Sequence, residues 1–370
     1  MTEFKIDPLD VSFEPLGGST LTNLLRLLAQ NKFKVGIIGI PRILYSIVLS
    51  LFFSPFNFYE KITCNKKIKN TKIDKPPIFI LGHWRSGTTY IHNLMSQNPN
   101  FAYPTTFQTL TPGLFLKFEK QIKPIVVASL PPTRPQDCIV LGADLPNEDE
   151  YGIGNISSYS FYHGWCFPKN RDFYYSFVHM TGVDKNRIND WKKTYIFYLK
   201  KVSLYHNGKQ LVLKNPSNTG RVKLLLELFP DAKFIHIYRD PYYTYLSMKR
   251  NIEKEMTLYC VQKPMDQENF EIAMVEMYNR MYEKYFEEKK LIPKGNLVEV
   301  RYEDLKEKPY EVIKKIYKEL NLPGFEKNQE KLKSYIKTQL KINTYNYNLD
   351  EKQKKKIYMY FKKTIDLWKY

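Results

Sequence analysis

The chain has 370 residues, with 57 Lys and Arg against 38 Asp and Glu, which gives a formal net charge of +19. A hydrophobic content of 43% with 15% aromatic residues is typical of a folded chain rather than a disordered one. Its 16 glycines, four cysteines and lack of a heptad run exclude collagen, disulfide scaffolds and coiled coils. The length suits one large α/β domain or two smaller ones.

The cysteines occur at positions 64, 138, 166 and 260. They form neither a C-x-x-C pair nor a Cys/His cluster with the spacing of a zinc site. Free thiols are typical of a reducing compartment, so we expect a cytoplasmic protein without a bound metal.

The positive charge is spread along the chain rather than concentrated. Its tightest group comprises Lys352 and the run from Lys354 to Lys356, interrupted by Gln353. Nucleic-acid binding is indicated by a basic patch or stripe, so we expect no nucleic-acid partner. Anionic lipid and nucleotide-like molecules stay open as partners of a basic protein.

The N-terminal region is predicted to be helical. Residues 1–20 are polar and have no basic segment followed by an apolar core, so no secretory signal is predicted there. A short helix follows, with one face formed by Leu24, Leu25, Leu27 and Leu28.

Residues 35–58 are almost uncharged but are interrupted by Pro41 and Arg42. The mainly apolar run that follows, Ile43 to Phe53, has 11 residues, whereas a spanning helix needs roughly 20. We therefore expect residues 21–59 to lie at a membrane surface or to pack on the domain. A spanning helix that tolerates the Pro-Arg pair is the less favoured alternative.

Strands and helices alternate from residue 76 onward. The apolar run from Ile78 to Leu81 predicts a strand that is buried on both faces. The other predicted elements, in order, are a helix at 88–97, loops with short helices at 130–170, a helix at 186–205, a strand at 211–213, a helix at 221–228, a strand at 233–238, a helix at 266–290, a strand at 297–301 and three C-terminal helical stretches. This alternation predicts an α/β fold with a central parallel sheet. We expect a helical extension at 1–75 and one main domain at 76–370.

The strongest local motif is the segment Gly82-His83-Trp84-Arg85-Ser86-Gly87-Thr88-Thr89, between the first predicted strand and its helix. It matches the phosphate-binding pattern G-x-x-x-x-G-K-[ST], except that Thr88 replaces the lysine. Backbone N–H groups at the start of a helix favour an anion there. With Arg85 as the only fixed charge, the loop suits a 5′-phosphate group and needs no metal. The alternative is a strand-to-helix turn that binds nothing.

Two further motifs follow predicted strands. Arg239 ends one strand, Asp240-Pro241 can start a helix, and Ser247 lies eight residues beyond Arg239, so both side chains can meet at one anion. Lys214, in Lys214-Asn215-Pro216, ends another strand, where α/β sheets place ligand groups. The alternatives are a capped helix with a surface arginine and an ordinary surface lysine.

Together these residues resemble the sulfotransferases that use 3′-phosphoadenosine 5′-phosphosulfate (PAPS). The phrase Lys214-Asn215-Pro216 is similar to the tyrosylprotein-sulfotransferase branch. A broader bacterial-type group is suggested by Arg134-Pro135-x-Asp137, Asp144-x-Pro146-x-Glu148-Asp149-Glu150 and Arg301-Tyr302-Glu303-Asp304-Leu305. The similarity covers about residues 76 to 310.

The resemblance implies a P-loop-like three-layer fold and a role for each motif. The residues that would hold the 5′-phosphosulfate are Arg85, Ser86, Gly87, Thr88 and Thr89. Arg239 and Ser247 would hold the 3′-phosphate. Lys214 and Arg85 would stabilise charge during transfer, without a metal.

The general base is not assigned by the resemblance. Where the tyrosylprotein branch has a glutamate, this chain has Thr105 and Thr106. The candidates are Glu148, Glu150, His83 and His92. The acidic run at 148–150 can raise a carboxylate pKa through like charges and lies in a loop-rich segment. The alternatives are a solvated acidic turn and, for the second histidine, a packed side chain.

The predicted function is therefore transfer of a sulfuryl group from PAPS to an acceptor hydroxyl on a lipid, glycan or small molecule. A nucleotide kinase is disfavoured by Thr88, which replaces the lysine of the triphosphate loop. The second alternative is a membrane-associated nucleotide-binding protein of the same fold that lacks catalysis.

Overall fold

A computed structural model describes residues 7, 9–11, 14–133, 139–339 and 349–370. Cys138 and the motif from Arg134 to Asp137 lie outside the described residues. The chain divides into two compact units. The first comprises 1–75, 103–208 and 252–270, and the second comprises 76–102, 209–251 and 271–370. The predicted division into 1–75 and 76–370 stays a prediction.

The second unit is built on a sheet of five strands in the order β2-β3-β1-β4-β5, and every neighbouring pair is parallel. The strands are β1 Ile78–Leu81, β2 Phe101–Ala102, β3 Gln210–Lys214, β4 Lys233–Tyr238 and β5 Leu297–Arg301. This arrangement confirms the predicted α/β fold with a central parallel sheet. All four residues of β1 are buried, as its continuous apolar run predicts.

Helices connect these strands and make up most of the remaining described chain. They are α1 Leu21–Gln30, α2 Ile40–Asn70, α3 Thr88–Met95, α4 Thr106–Leu110, α5 Phe115–Ser129, α6 Asp149–Ile156, α7 His163–Cys166, α8 Arg171–His179, α9 Lys185–Tyr205, α10 Val222–Leu228, α11 Pro241–Tyr259, α12 Gln267–Glu288, α13 Tyr302–Glu307, α14 Pro309–Glu319, α15 Phe325–Gln339 and α16 Glu351–Trp368.

The register of the sheet brings three strand ends together. Ile80 of β1 lies opposite Lys214 at the end of β3, and Leu81 lies opposite His236 of β4. Because parallel strands end at the same edge, the segments that follow β1, β3 and β4 meet there. These are the segments that carry the three sequence motifs.

The core of the second unit lies against the sheet. Ile78 and Ile80 of β1 belong to one buried apolar cluster with Ile91 of α3, Ile313 of α14 and Leu332 of α15. These helices therefore hold β1, and the loop that follows it, from one side of the sheet.

In the first unit, α1 packs through a narrower face than predicted. Leu24, Leu27 and Leu28 are buried in a cluster with Ile43, whereas Leu25 is 48% exposed. Adjacent helical positions differ by about 100° around the axis, so Leu25 points away from the buried face that contains Leu24. The prediction that all four leucines share one buried face is wrong for Leu25.

Helix α2 is much longer than the 11-residue apolar run suggests. It spans 31 residues from Ile40 to Asn70, and Pro41 lies in its first turn. A proline there removes no intrahelical hydrogen bond, so it starts the helix instead of breaking it. Residues Ile37–Asn70 form, within the described chain, one helical segment that is long and apolar enough to cross a membrane by length and composition. A third of its most apolar stretch is buried in the protein.

Candidate active site

The loop between β1 and α3 is shaped by two glycines with positive φ, +142° at Gly82 and +98° at Gly87. A Cβ on the first would lie 2.4 Å from the Ile237 carbonyl oxygen, and one on the second 2.4 Å from the ring of Tyr302. Only glycine fits these positions without displacing a neighbour. Both glycines of the motif are therefore required by the shape of the loop.

Hydrogen bonds within the second unit fix the loop. The Gly82 N–H donates to Thr219 Oγ1 at 2.8 Å. The Ser86 N–H and hydroxyl both donate to the His83 carbonyl, at 3.1 and 2.7 Å. The Ser86 hydroxyl therefore donates its proton within the loop, and only the lone pairs of the Ser86 oxygen can interact with a ligand.

The loop leads directly into the first turn of α3. Thr88, the first residue of the helix, is buried, and Thr89 is half-buried. The first N–H groups of a helix have no intrahelical acceptor, and the helix dipole favours negative charge beside them. This turn can therefore bind a phosphate or sulfate group.

Arg85 joins the loop to the predicted 3′-phosphate residues. Its backbone has φ +70°, and its Nε donates to the Ser247 hydroxyl at 3.0 Å. Arg239 Nη1 donates to the Arg85 carbonyl at 3.1 Å, and its guanidinium lies 4.3 Å from the centre of the Tyr302 ring. The structure therefore brings Arg85 together with Arg239 and Ser247, which lie 154 and 162 positions further along the chain.

The start of α11 positions Ser247. Asp240 Oδ1 accepts the Tyr242 N–H at 2.8 Å, and the Asp240 N–H donates to Glu303 Oε1 at 3.2 Å. Pro241 is the first helical residue, as the sequence predicts. This start places Ser247 on the second turn of the helix.

Lys214 is 2% exposed at the end of β3, so the alternative of an ordinary surface lysine is wrong. The chain then makes a turn, Pro216–Gly220, whose start is fixed by the Ser217 N–H donating to Asn215 Oδ1 at 3.0 Å. Thr219, the acceptor for the first glycine of the loop, belongs to this turn. Lys214 is therefore held by a segment that also fixes the loop.

The two candidate histidines, His83 and His92, are poor bases at neutral pH. Burial, and then the charge of Lys214, lower the pKa of His92 to about 3. Its Nε2 lies 3.3 Å from the Val212 carbonyl oxygen, which is the packed arrangement that the alternative describes.

Burial also lowers the pKa of His83 to about 4. Its Nδ1 lies 2.8 Å from the Trp84 carbonyl oxygen, which can only accept, so Nδ1 carries the proton. The other ring nitrogen, Nε2, is a buried acceptor without a hydrogen-bond partner among the described residues. A group with so low a pKa accepts a proton weakly at neutral pH.

The acidic run lies in the first unit at the start of α6. Glu148 is 7% exposed, and Asp149 and Glu150 are fully buried, so the alternative of a solvated acidic turn is wrong. Each carboxylate has its own partner, with Asp149 Oδ2 accepting the Tyr195 hydroxyl at 2.6 Å. The three acids therefore do not share one site.

Glu148 and Glu150 differ in what they hold. Glu150 Oε1 accepts the Ser160 hydroxyl at 2.9 Å and the Phe161 N–H at 3.2 Å, which fixes the chain after α6. Glu148 accepts the hydroxyl of Tyr162, whose ring stacks on Tyr151 at 4.2 Å. The contacts of Glu150 are those of a structural carboxylate, whereas Glu148 is a buried carboxylate beside two aromatic rings.

The threonines that replace the glutamate of the tyrosylprotein branch start α4. Thr105 Oγ1 accepts the Gln108 N–H at 3.2 Å, and Gln108 Oε1 accepts the Thr105 N–H at 3.1 Å. This reciprocal pair is a capping box. The side chains at this position therefore stabilise a helix start.

Two residues that position the site were missed by the sequence reasoning. Tyr302 packs against both Gly87 and Arg239, and it belongs to the motif 301–305, which could have indicated it. Thr219 fixes Gly82, but no sequence signal marks a threonine in a short turn.

The metal-binding residue types are dispersed. The described residues contain no group of three or more His, Cys, Asp or Glu side chains that could hold a metal ion. The thiols of Cys64, Cys166 and Cys260 are free and buried.

One edge of the parallel sheet carries a loop shaped by two glycines, a helix start, two arginines and a buried lysine. These features are typical of α/β proteins that bind phosphate-type anions beyond the carboxyl ends of their strands. The family model described as "Sulfotransferase family" matches residues 76–327. The chain belongs to this sulfotransferase family and is a transferase enzyme, as its resemblance predicts.

Relatives and solved structures agree with this assignment. The chain is 30% identical over 353 residues to the omega-hydroxy-beta-dihydromenaquinone-9 sulfotransferases Stf3 of Mycobacterium bovis and Mycobacterium tuberculosis, over 95% of this chain and 90% of each relative. Its fold is similar to those of STF9 from Mycobacterium avium (TM-score 0.68, 16% identity, 94% of this chain and 96% of that one) and STF1 from M. tuberculosis (TM-score 0.64, 16% identity, 95% and 94%). The likeness to the tyrosylprotein branch stays a prediction.

Proposed function

We propose that this enzyme moves a sulfuryl group from PAPS to the hydroxyl of a lipid-like acceptor. The observation that carries the proposal is the contact of Arg85 with both Ser247 and Arg239 at the edge of the sheet. A donor with anionic groups at both its 5′ and 3′ positions requires cations that lie close to, but are distinct from, a helix start. Here α3 supplies the helix start, and Arg85 and Arg239 supply the cations.

The proposed division of roles follows the contacts. The first turn of α3, with Thr88 and Thr89, binds the 5′-phosphosulfate. Arg239 and Ser247 bind the 3′-phosphate. Arg85 belongs to the loop before α3 and contacts both of these residues, so it links the residues assigned to the two ends of the donor. Because Thr88 replaces the loop lysine, this loop lacks the cation that contacts the β- and γ-phosphates of a triphosphate in a kinase.

Transfer of the sulfuryl group then needs a base and stabilised charge. The acceptor hydroxyl loses its proton to the base, its oxygen bonds to sulfur, and the bond from sulfur to the 5′-phosphate oxygen breaks. Negative charge spreads over the sulfate oxygens and the leaving phosphate. Lys214, Arg85 and the loop N–H groups stabilise that charge in fixed positions.

We propose a long apolar alcohol as the acceptor class, since the mycobacterial relatives are named for an omega-hydroxylated dihydromenaquinone. The free buried thiols support a reducing, cytoplasmic location for the enzyme. Glycans, small phenols and tyrosine peptides are the competing acceptors that an assay has to compare.

The test is an acceptor screen with radiolabelled PAPS and the purified full chain. We expect label on an isoprenoid quinol with a terminal hydroxyl, release of 3′-phosphoadenosine 5′-phosphate (PAP), and the same rate with a chelator present. Labelling of only the saccharide, phenol or peptide would overturn the acceptor class. Transfer from ATP but not PAPS, or PAP binding that chelator abolishes, would overturn the donor assignment.

Arg239→Ala is expected to weaken PAP binding about 10- to 150-fold, because a charge-assisted hydrogen bond to phosphate contributes roughly 1.5–3 kcal/mol. Calorimetry with PAP measures the dissociation constant directly. The matched control is Arg280→Ala, which removes an exposed arginine of the same unit. Equal affinities for the two variants would remove Arg239 from the donor site.

A further inference from the structure

Helix α2 departs from the usual pattern of a water-soluble protein. Its side that packs on the rest of the first unit buries polar and apolar side chains together: Arg42, Ile43, Ser46, Ser50, Phe53, Glu60, Cys64 and Ile68. Its outward side is apolar and exposed over most of its length, at Leu44, Val48, Leu51, Phe52, Phe58, Tyr59 and Ile62. With the exposed Pro55, which lies between Phe52 and Phe58, these positions recur at intervals of three and four and therefore form one continuous stripe.

Three of these buried polar side chains make polar contacts with other parts of the first unit. Arg42 donates to the carbonyls of Asp7 and Leu258, and the Ser50 hydroxyl donates to the Ser19 carbonyl at 2.7 Å. Glu60 accepts the Lys117 N–H at 2.8 Å and pairs with the buried Lys201. Helix α2 is thus attached along its length by specific polar contacts, and its rotation about its axis is fixed. The exposed stripe therefore cannot turn inward without breaking them.

Further exposed apolar side chains lie in neighbouring segments of the first unit. They are Ile37 and Ile38 just before the helix, and Ile125 and Val127 on α5. Helix α5 packs on α2 through Phe118, whose ring lies 5.0 Å from Phe56. An exposed apolar surface of this extent marks an interaction site.

Charge identifies the partner. Glu60, which is buried, is the only acidic residue between positions 21 and 72. Exposed lysines lie at both ends of the stripe: Lys32 and Lys34 before it, and Lys61, Lys66, Lys67 and Lys69 at its end. An apolar stripe with cationic ends matches a bilayer whose hydrocarbon lies beneath anionic headgroups.

A second copy of this chain fits the same surface less well. In a two-fold dimer the stripe would pack on its own copy. Antiparallel pairing of α2 would place Lys32 and Lys34 of one chain beside the C-terminal lysines of the other, and parallel pairing would place like ends together. Both arrangements bring cations against cations, which opposes association.

We propose that the α2 stripe docks the enzyme in the plane of an anionic bilayer, with the helix lying along the surface and not across it. Crossing would require the polar contacts of Arg42, Ser50 and Glu60 to the first unit to enter hydrocarbon, where they cost much more. Docking concentrates the enzyme where apolar alcohols partition. The docking proposal can be tested independently of the proposed acceptor, because lipid binding is measured without catalysis.

The first test is vesicle flotation of the full chain with phosphatidylcholine alone or mixed with phosphatidylglycerol. We expect flotation with the anionic mixture, and release by alkaline carbonate. The paired substitutions Val48→Glu and Phe52→Glu, at 63% and 50% exposure, are expected to reduce vesicle binding at least about tenfold, since each places a charge in the apolar interface. Their matched controls are Met359→Glu and Leu291→Glu in the second unit, at 67% and 50% exposure, which are expected to float normally.

The second test asks whether vesicle binding depends on where the lysines lie or only on the net charge of the chain. Replacing Lys66, Lys67 and Lys69 by Gln is expected to weaken binding to anionic vesicles by up to about fivefold per lysine. Removing the same number of exposed lysines from α16, at Lys352, Lys355 and Lys362, is the control and is expected to have little effect. Calorimetry with PAP checks that every variant keeps its donor site.

Four outcomes would overturn the proposal. They are a wild-type chain that does not float with anionic vesicles, equal losses in the stripe variants and their controls, retention in the membrane through carbonate, and a dimer in light scattering that the stripe variants dissociate while flotation is unchanged. The third outcome would identify a spanning helix, and the fourth a second copy of the chain.

Discussion

Replacing Lys214 by methionine is expected to lower kcat and kcat/KM by about 10²–10³-fold, the range for loss of a preorganised charge-stabilising group. Methionine keeps most of the buried volume at the end of β3, where the lysine is 2% exposed, and removes only the charge. The loss appears in kcat because we assign the lysine to charge that develops during transfer. Single-turnover kinetics at saturating PAPS measures it.

The matched control is Lys209→Met, which removes an exposed lysine just before β3 and is expected to leave kcat unchanged. PAP affinity of Lys214→Met should stay within about fivefold of the wild type, since the phosphates are assigned to Arg239, Ser247 and the loop. A Lys214→Met enzyme with normal kcat and weakened PAP binding would show that the lysine only binds the donor.

The sheet and its ligand-binding edge were predictable because their signals are local. Strands β1, β4 and β5 have the predicted bounds, because a short apolar run between turn-forming residues leaves little choice of where the strand begins and ends. The loop at 82–89 was identified by two glycines and its place before a helix. Their positive φ angles and close neighbours show why no other residue would serve.

What the sequence did not predict depends on partners far along the chain. The contact of Arg85 with Ser247 joins residues 162 positions apart, and that of Asp149 with Tyr195 joins residues 46 apart. The length of α2 exceeds the apolar run because the run ends at Phe53, whereas the helix continues through Pro55 to Asn70. Local composition carries no information on such pairings.

The choice of base between the two glutamates follows from their different contacts. Glu150 is fully buried and accepts two hydrogen bonds that fix residues 160 and 161. A carboxylate so engaged would have to release structural contacts before it accepted a proton. Glu148 accepts a tyrosine hydroxyl and is 7% exposed, whereas Glu150 is 0% exposed, so Glu148 is the more accessible of the two carboxylates. We therefore propose Glu148 as the base that takes the acceptor proton.

Glu148→Gln is expected to lower the single-turnover rate by about 10²–10⁴-fold, the usual cost of losing a general base. PAP affinity should not change, since the phosphates are assigned to other residues. Glu150→Gln is the matched control: the amide oxygen can still accept from Ser160 and Phe161, so the rate should fall less than about threefold. A normal rate in Glu148→Gln would exclude it as the base, and His83 would be the next residue to test. A large loss in Glu150→Gln alone, with an unchanged melting temperature, would transfer the role to Glu150.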